Sequence, residues 1–270
     1  MERLIQSAKQ AFSKTGIYLG LFAAITTIIG IVGFDKISIN YLHRTMVVAS
    51  VFATSYFVAF IKCYFYNKVH IPLGNNRSVT IEYGDLFSKQ GVIIIPFNRF
   101  FDTVVNDGII NSTSVAGQFV KAKFAGNLDE LDAQIAKTTN GIAHCYEVKK
   151  QGKKLAYPIG TVAKVQKDEN QYYCIAQTDV DEEEKSKSDI EKLHTSIMSV
   201  LKFANKEANG REIYLPVLGS GFSRLNKDKQ IILEYLISTL KTMDIPIQSN
   251  LHIMIWIKDR KLYDLSKHFL

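Results

Sequence analysis

The stretch "LPVLGSGFSRLN", Leu215 to Asn226, passes from a short apolar run into a loop of small residues and on into the helical pattern "KDKQIILEYLISTLKTM". Strand, glycine loop and helix in that order form the layout that holds phosphates, because the loop exposes backbone N–H groups and a helix N-terminus is electropositive. Yet the loop matches none of three familiar versions. A dinucleotide fingerprint needs a third glycine where Arg224 stands. A Walker loop needs Gly-Lys-Ser/Thr, which the chain lacks. A nucleophile elbow around Ser220 needs a glycine where Leu218 stands. Dehydrogenase, kinase and serine-hydrolase chemistry therefore lack their marks. What remains is a backbone cradle for an anion. Gly219 and Gly221 let the main chain come close, and Ser220 and Ser223 supply hydroxyls.

Outward from this loop, apolar runs and turn formers alternate. "VTIEY" reads as a strand ending at Gly84-Asp85, and "VIIIP" (Val92 to Pro96) as a strand buried on both faces. Further strands are expected around Leu155 to Val165, Tyr172 to Gln177, in "EIYLPVL" and in "LHIMIWI". Helices are expected from Asn111 to Phe124 and in the final "RKLYDLSKHF". After the charged run "DVDEEEKSKSD", read as a solvated loop, Ser188 and Glu191 form a capping box for another helix. Its inward face is Ile190, Leu193, Ile197, Val200, Leu201 and Ala204; that of the helix after the glycine loop is Ile232, Leu233, Leu236 and Leu240. The fold class is α/β, an α/β/α sandwich with a mixed, largely parallel sheet. Ligands of such sheets lie at the carboxyl ends of strands.

Three loops share that position: "YGDLF", "PFNRFFDTVVNDGIINS" and "GSGFSR". Asp85 can accept from an exocyclic amine or a hydroxyl, and Asn98 can bond a ribose hydroxyl. Phe100, Phe101 and Phe222 offer faces for a ring. The combination suits a nucleotide carrying a diphosphate. Each residue also has a plain structural reading: a turn at Asp85, a cap at Asn98, core packing for the phenylalanines.

Composition narrows the partners. The net charge is +7, which suits anionic lipid or an anionic small ligand; no nucleic-acid-reading motif or arginine-rich arm is present, so no nucleic-acid partner is expected. Cys63, Cys145 and Cys174 form no CxxC, which argues for reduced thiols and against a zinc or disulfide framework. No metal and no cofactor is expected. His144 and Cys145 are adjacent, but neighbours in a strand point to opposite faces, so they do not read as a catalytic pair.

The first quarter is different in kind. "GIYLGLFAAITTIIGIVGF", Gly16 to Phe34, and "TMVVASVFATSYFVAFI", Thr45 to Ile61, contain no charged residue. Each approaches the roughly 20 residues a membrane-spanning helix needs. They are read as a two-helix transmembrane hairpin within residues 1–70, with spans at about 16–34 and 45–63. A linker of turn formers at 71–78 and a soluble domain at 79–270 follow. Basic residues flank the outer ends of the spans (Arg3, Lys9, Lys14; Lys62, Lys68, Arg77), which puts both termini in the cytoplasm and the short link outside. Thr26, Thr27, Thr54 and Ser55 are expected to bond their own helix backbone. Gly16 with Gly20, and Ala49 with Ala53, give spacings that let helices approach closely.

Taken together, "VTIEYGDLF", "IIIPFNRFFDTVVNDGIINSTSVAGQF" and "LPVLGSGFSRL" resemble the macro domain family, which binds ADP-ribose. Within it they are similar to the macro-like domain of bacterial Thoeris anti-phage defence effectors. The two-span N-terminus matches the membrane-anchored form, so the resemblance covers nearly the whole chain. It implies that Asp85, with Leu86 beside it, contacts adenine and that Asn98 faces the distal ribose. Asp107, Gly108 and Ile109 lie where the first diphosphate loop runs. Leu218, Gly219, Ser220, Gly221 and Phe222 match the second, with Ser223 and Arg224 at its end. Phe101, Asp102 and Asn106 complete the expected ligand-binding set. Asp102, Asn106 and Arg224 are candidates for reading the group attached to ADP-ribose, a carboxylate suiting a cationic imidazole-bearing group and an arginine a carboxylate-bearing one.

One departure stands out. Hydrolytic macro domains carry a run of glycines after the asparagine, where this chain reads "NDGII". That favours a binding domain over an enzyme. The resemblance further implies a TIR-domain partner that makes an NAD-derived signal, expected to be a histidine-linked ADP-ribose. Signal binding would drive a homo-oligomer whose hairpins disrupt the lipid bilayer, leading to abortive infection. Two alternatives remain open: a membrane-tethered ADP-ribosyl hydrolase in which Asn98 and Asp107 orient a water, and a passive anchor for ADP-ribosylated proteins.

Overall fold

The computed structural model describes residues 8, 11–12, 15–16, 19–20, 23, 41–65, 67–74, 77–106, 108–147, 149, 151–180, 186–221, 225 and 227–265. The chain divides into two compact units, residues 1–67 with 264–270, and residues 68–263.

In the first unit, helix α1 runs from Tyr41 to Phe65 and includes the second expected span. At 1.5 Å per residue it is about 37 Å long. The Thr54 hydroxyl donates to the Ser50 carbonyl at 2.8 Å, satisfying it within its own helix as expected. Side chains of α1 are described at Met46 and from Ala49 to Ile61, a stretch shorter than a span requires. Most of Gly16 to Phe34 lies outside the described residues. Among the described residues no helix is long and apolar enough to cross a membrane, so the expected two-span hairpin is not found among them.

The second unit contains, in chain order, β1 (Lys68–Gly74), β2 (Arg77–Gly84), β3 (Val92–Asn98), α2 (Val115–Lys123), α3 (Leu128–Thr139), β4 (Cys145–Tyr146), β5 (Leu155–Ala156), β6 (Val162–Lys167), β7 (Asn170–Val180), β8 (Ser186–Lys187), α4 (Ile190–Glu207), β9 (Ile213–Pro216), α5 (Lys229–Thr242) and β10 (Leu251–Trp256). The main sheet is ordered β1-β2-β10-β9-β3-β7-β6, and β8 pairs with β7. The strands β2, β10, β9, β3 and β7 are parallel, while β1 and β6 run antiparallel at the two edges. The expected mixed, largely parallel sheet is therefore present. Alternation along β3 serves both faces. Ile93, Ile95 and Phe97 join Phe119, Val120, Leu131 and Ile135 in one core cluster, and Val92 and Ile94 are buried on the other side.

Several local expectations are corrected. Residues 71–74 are strand rather than linker: Val69, Ile71 and Leu73 are buried on one face of β1, and Pro72 is tolerated because β1 is an edge. Asp189, not Ser188, caps α4, accepting from Lys192 N at 2.8 Å; Ile190, one residue later, is left exposed. Helix α3 was not expected, although Asn127 caps it and Leu131 and Ile135 give its buried face. The final expected helix is instead a 3-10 segment, Ile257–Leu262, and residues 266–270 lie outside the described part. Ser186–Lys187, within the expected solvated loop, pair with β7.

Candidate functional site

The carboxyl ends of β2, β3, β7, β9 and β10 open into one cavity of about 530 Å³. That is the position at which open parallel sheets hold ligands, because loops and helix N-termini leave backbone groups facing one another there.

At the end of β2, Asp85 caps a single 3-10 turn, Leu86–Ser88, by accepting from Phe87 N at 2.9 Å. It does so while remaining exposed on the cavity lining, so the capping role leaves the residue on the wall. At the end of β3, Asn98 lines the cavity and is almost fully anchored. Its Oδ1 accepts from Phe100 N (3.1 Å) and Asp102 N (3.3 Å), and its Nδ2 donates to Asp102 Oδ2 at 2.9 Å. An amide nitrogen carries two hydrogens, so one remains for a ligand.

Asp102 does not line the cavity. It is 1% exposed and lies 2.6 Å from Lys149 Nζ, and it accepts from Lys153 N at 2.7 Å. With its charge matched by Lys149, its expected role of reading a cationic group is not borne by the geometry; it positions Asn98 instead. Phe100 and Phe101, expected as stacking faces, are also turned inward. Phe101 adopts φ of 50° and packs against Phe97 and edge-on to Tyr157, and the Lys149 ammonium lies 4.1 Å from the Phe100 ring centre. Burying two phenyl rings gains more than presenting them to solvent.

Asn106 is likewise a builder rather than a lining residue. Its Oδ1 accepts from Gly108 N (3.0 Å) and Ile109 N (2.7 Å), an Asx turn that delivers Gly108 and Ile109 to the cavity. Ser114 then caps α2 through Gly117 N at 3.0 Å. Thr113, Ser114, Val115 and Ala116 line the cavity at this helix N-terminus, where free N–H groups favour negative charge. Asp107 lies outside the described residues.

At the end of β9, Leu218, Gly219, Ser220 and Gly221 line the cavity together. Gly219 has φ of +83°, and Ser220 Oγ donates to Val217 O at 2.7 Å, closing the turn. Among the described residues, a Cβ added at Gly221 would meet nothing within 4 Å. Phe222, Ser223 and Arg224 lie outside the described residues.

Two strand ends were missed. At β10, Met254, Ile255 and Trp256 join Tyr263 and the Lys229–Asp259 pair (3.0 Å) on the lining. Burial pushes the Tyr263 phenol up to about 12, so it stays protonated and able to donate at neutral pH. At β7, Gln177 and Thr178 line the cavity with Ser186. The strand-end rule alone would have flagged both. Among the described residues, no group of three or more His, Cys, Asp or Glu could hold a metal.

A parallel five-strand core with antiparallel edges thus brings its strand ends around one cleft beside a helix N-terminus. Residues 79–256 match the family described as Thoeris protein ThsA, Macro domain, and the chain belongs to that family. It is similar to the Thoeris protein ThsA of Bacillus amyloliquefaciens (strain Y2), with 27% identity over 204 residues, covering 74% of this chain; it spans 62% of that relative's length. Among solved structures it has a distant likeness to the Oceanobacillus iheyensis macrodomain. One variant of it has TM-score 0.48, 15% identity and coverage of 73% of this chain and 94% of that one. Another, with ADPR, has TM-score 0.47, 14% identity and coverage of 72% and 92%.

Proposed function

We propose that the chain is a receptor for an NAD-derived signal built on ADP-ribose. The observation that carries this is the assembly, in one cavity, of Asp85, Asn98, the Gly108–Ile109 turn and the Leu218–Gly221 loop, within a ThsA macro domain. Asp85 binds the base and Asn98 the distal ribose. The diphosphate lies between the backbone of the two loops and the N-terminus of α2, where N–H groups favour an anion. A histidine-linked ADP-ribose made by a TIR-domain partner is the proposed signal.

The same reading has the chain act at a membrane. It is supported by the two long uncharged runs in the first quarter and by the exposed Met46, Phe52, Phe57, Val58 and Ile61 along α1. Signal binding drives homo-oligomers of an inner-membrane protein with both termini in the cytoplasm, and the clustered spans breach the bilayer and abort infection. A ligand that binds the assembled state more tightly shifts the population toward it.

The test is thermal melting and size analysis of the purified full chain with ADP, ADP-ribose and histidine-linked ADP-ribose, followed by dye release from vesicles. Ligand at about a hundred times its Kd adds roughly 2.7 kcal/mol of stability, which a melting curve resolves. A selective rise, larger particles, dye release and recovery of intact ligand are expected. Steady release of free ADP-ribose would instead identify a hydrolase. Ligand binding without dye release would identify a passive anchor.

A further inference from the structure

Gln177 is the one cavity-lining residue among those described whose buried polar side chain has an atom with no partner. It is 1% exposed, and its Nε2 makes no hydrogen bond. The backbone explains how it comes to be there. Along β3 and β7, Phe97 pairs with Ala176 and Asn98 pairs with Thr178, so Gln177 is an extra residue with no counterpart on β3. Such a bulge breaks the strict alternation of a strand and re-aims one side chain, and bulges gather beside binding sites. Here the re-aimed residue is an amide at the strand end beside that of Asn98.

A buried amide donor without an acceptor is unfavourable, and an apolar side chain of the same size would suit the fold by itself better. The contrast with Asn98, whose amide is held by three bonds, is direct. The surroundings also define what Gln177 can meet. Among the described lining residues, Asn98, Thr178 and Ser186 are neutral, and Asp102, which bonds Asn98, is already paired with Lys149.

We propose that Gln177 recognises the end of the nucleotide remote from the base, donating its amide N–H to an uncharged acceptor oxygen, either a distal-ribose hydroxyl or a carboxamide carried beyond that ribose. This rests on the reading of the cavity as an ADP-ribose site. It adds a neutral hydrogen bond to recognition of the distal end, for which the sequence offers Asp102, Asn106 and Arg224 as candidates.

The experiment is calorimetric titration of the purified full chain, unsubstituted and as Q177M and Q177L, with ADP, ADP-ribose and NAD. Methionine keeps the length and removes the amide; leucine also removes the amide without adding charge, and serves if Q177M does not fold. ADP lacks the distal ribose and should bind all three proteins alike. The ligands that carry the acceptor should bind both variants roughly tenfold more weakly. Equal loss with ADP-ribose and NAD identifies the ribose hydroxyl as acceptor; loss with NAD alone identifies the carboxamide. The ligand-free Tm of Q177M should rise by roughly 2–4 °C, a gain that a merely structural glutamine would not show. Unchanged affinity for every ligand, or ADP weakened as much as ADP-ribose, overturns the proposal and leaves the cavity reading intact. Failure of the unsubstituted chain to bind any of the three sinks the cavity reading itself, and this proposal with it.

Discussion

The loops that follow the neighbouring strands β3 and β9 both line the cavity, yet different physics holds them. After β3 the chain is pinned by side chains. Arg99 reaches Glu147 at 3.4 Å and Asp179 at 3.5 Å. Asp102 gathers Lys149, the Lys153 backbone and Asn98, and Asn106 folds the next turn. After β9 the turn is closed by the hydroxyl and the backbone N–H of Ser220, both donating to the Val217 carbonyl, with Gly219 in the left-handed region. The difference follows from what each loop presents. A side-chain amide such as that of Asn98 must be held at an angle, which takes several anchors. A backbone N–H needs only the right dihedrals and room for the ligand to approach.

The largest effect should come from breaking the charged anchor. Asp102→Ala leaves the Lys149 ammonium, the Lys153 N–H and the Asn98 amide without their acceptor. It should cost about 3–5 kcal/mol, read as a lower denaturant midpoint. A loss under 1 kcal/mol would mean that the first loop is no more dependent on side chains than the second. Next is Gly219→Ala. The added Cβ meets Leu225 Cδ1 at 2.5 Å and forces alanine into the left-handed region, for a cost of about 1–3 kcal/mol. Gly221→Ala sharpens the contrast within the same loop. With open space around its Cβ, it should change stability by less than about 0.5 kcal/mol. Its affinity for ADP should nevertheless fall, because the methyl group stands where a diphosphate would approach. Undiminished ADP binding would remove Gly221 from the proposed cradle.

The smallest effect lies outside both loops and serves as a control. His252 lies 3.4 Å from Glu82 and stacks on Tyr214. Burial lowers its pKa, and the nearby Glu212 and Glu82 carboxylates only partly oppose this. The unfolded chain then binds a proton at higher pH than the fold does. Its contribution to stability is complete above the unfolded value of roughly 6.5 and declines as pH falls from there toward the lower folded value. Stability measured from pH 7 to 5 should decline less in His252→Gln. An identical decline in the variant would assign the acid sensitivity to other groups.

Much of the cavity was legible in the sequence. Asp85, Leu86, Asn98, Gly108, Ile109 and Leu218 to Gly221 all reach one lining, most because they end or follow an apolar run that forms a buried strand, and Gly108 and Ile109 because Asn106 turns them there. The failures share a cause. Phe100 and Phe101 look like stacking faces in a linear reading, but φ of 50° at Phe101 and the core beneath it turn both inward. Pro72 and Gly74 look like turn formers, but the adjacent β2 offers pairing to the whole of β1. Ser188 and Asp189 compete for one cap, and Ser188 Oγ is engaged 3.4 Å from the Gln177 carbonyl.

By itself the sequence determined the α/β class, the core rows of the main strands, of α5 and of most of α4, the glycine turn after β9 and the uncharged runs of the first quarter. These depend on periodicity, charge and backbone freedom, which act over a few residues. Only the tertiary structure decided that Asp102 faces Lys149 rather than the cavity, that Tyr263 joins the lining, and that Gln177 bulges out of register with β3. Those outcomes turn on which distant group arrives opposite a side chain, and burial makes an unmatched charge or amide costly enough for that partner to set its place.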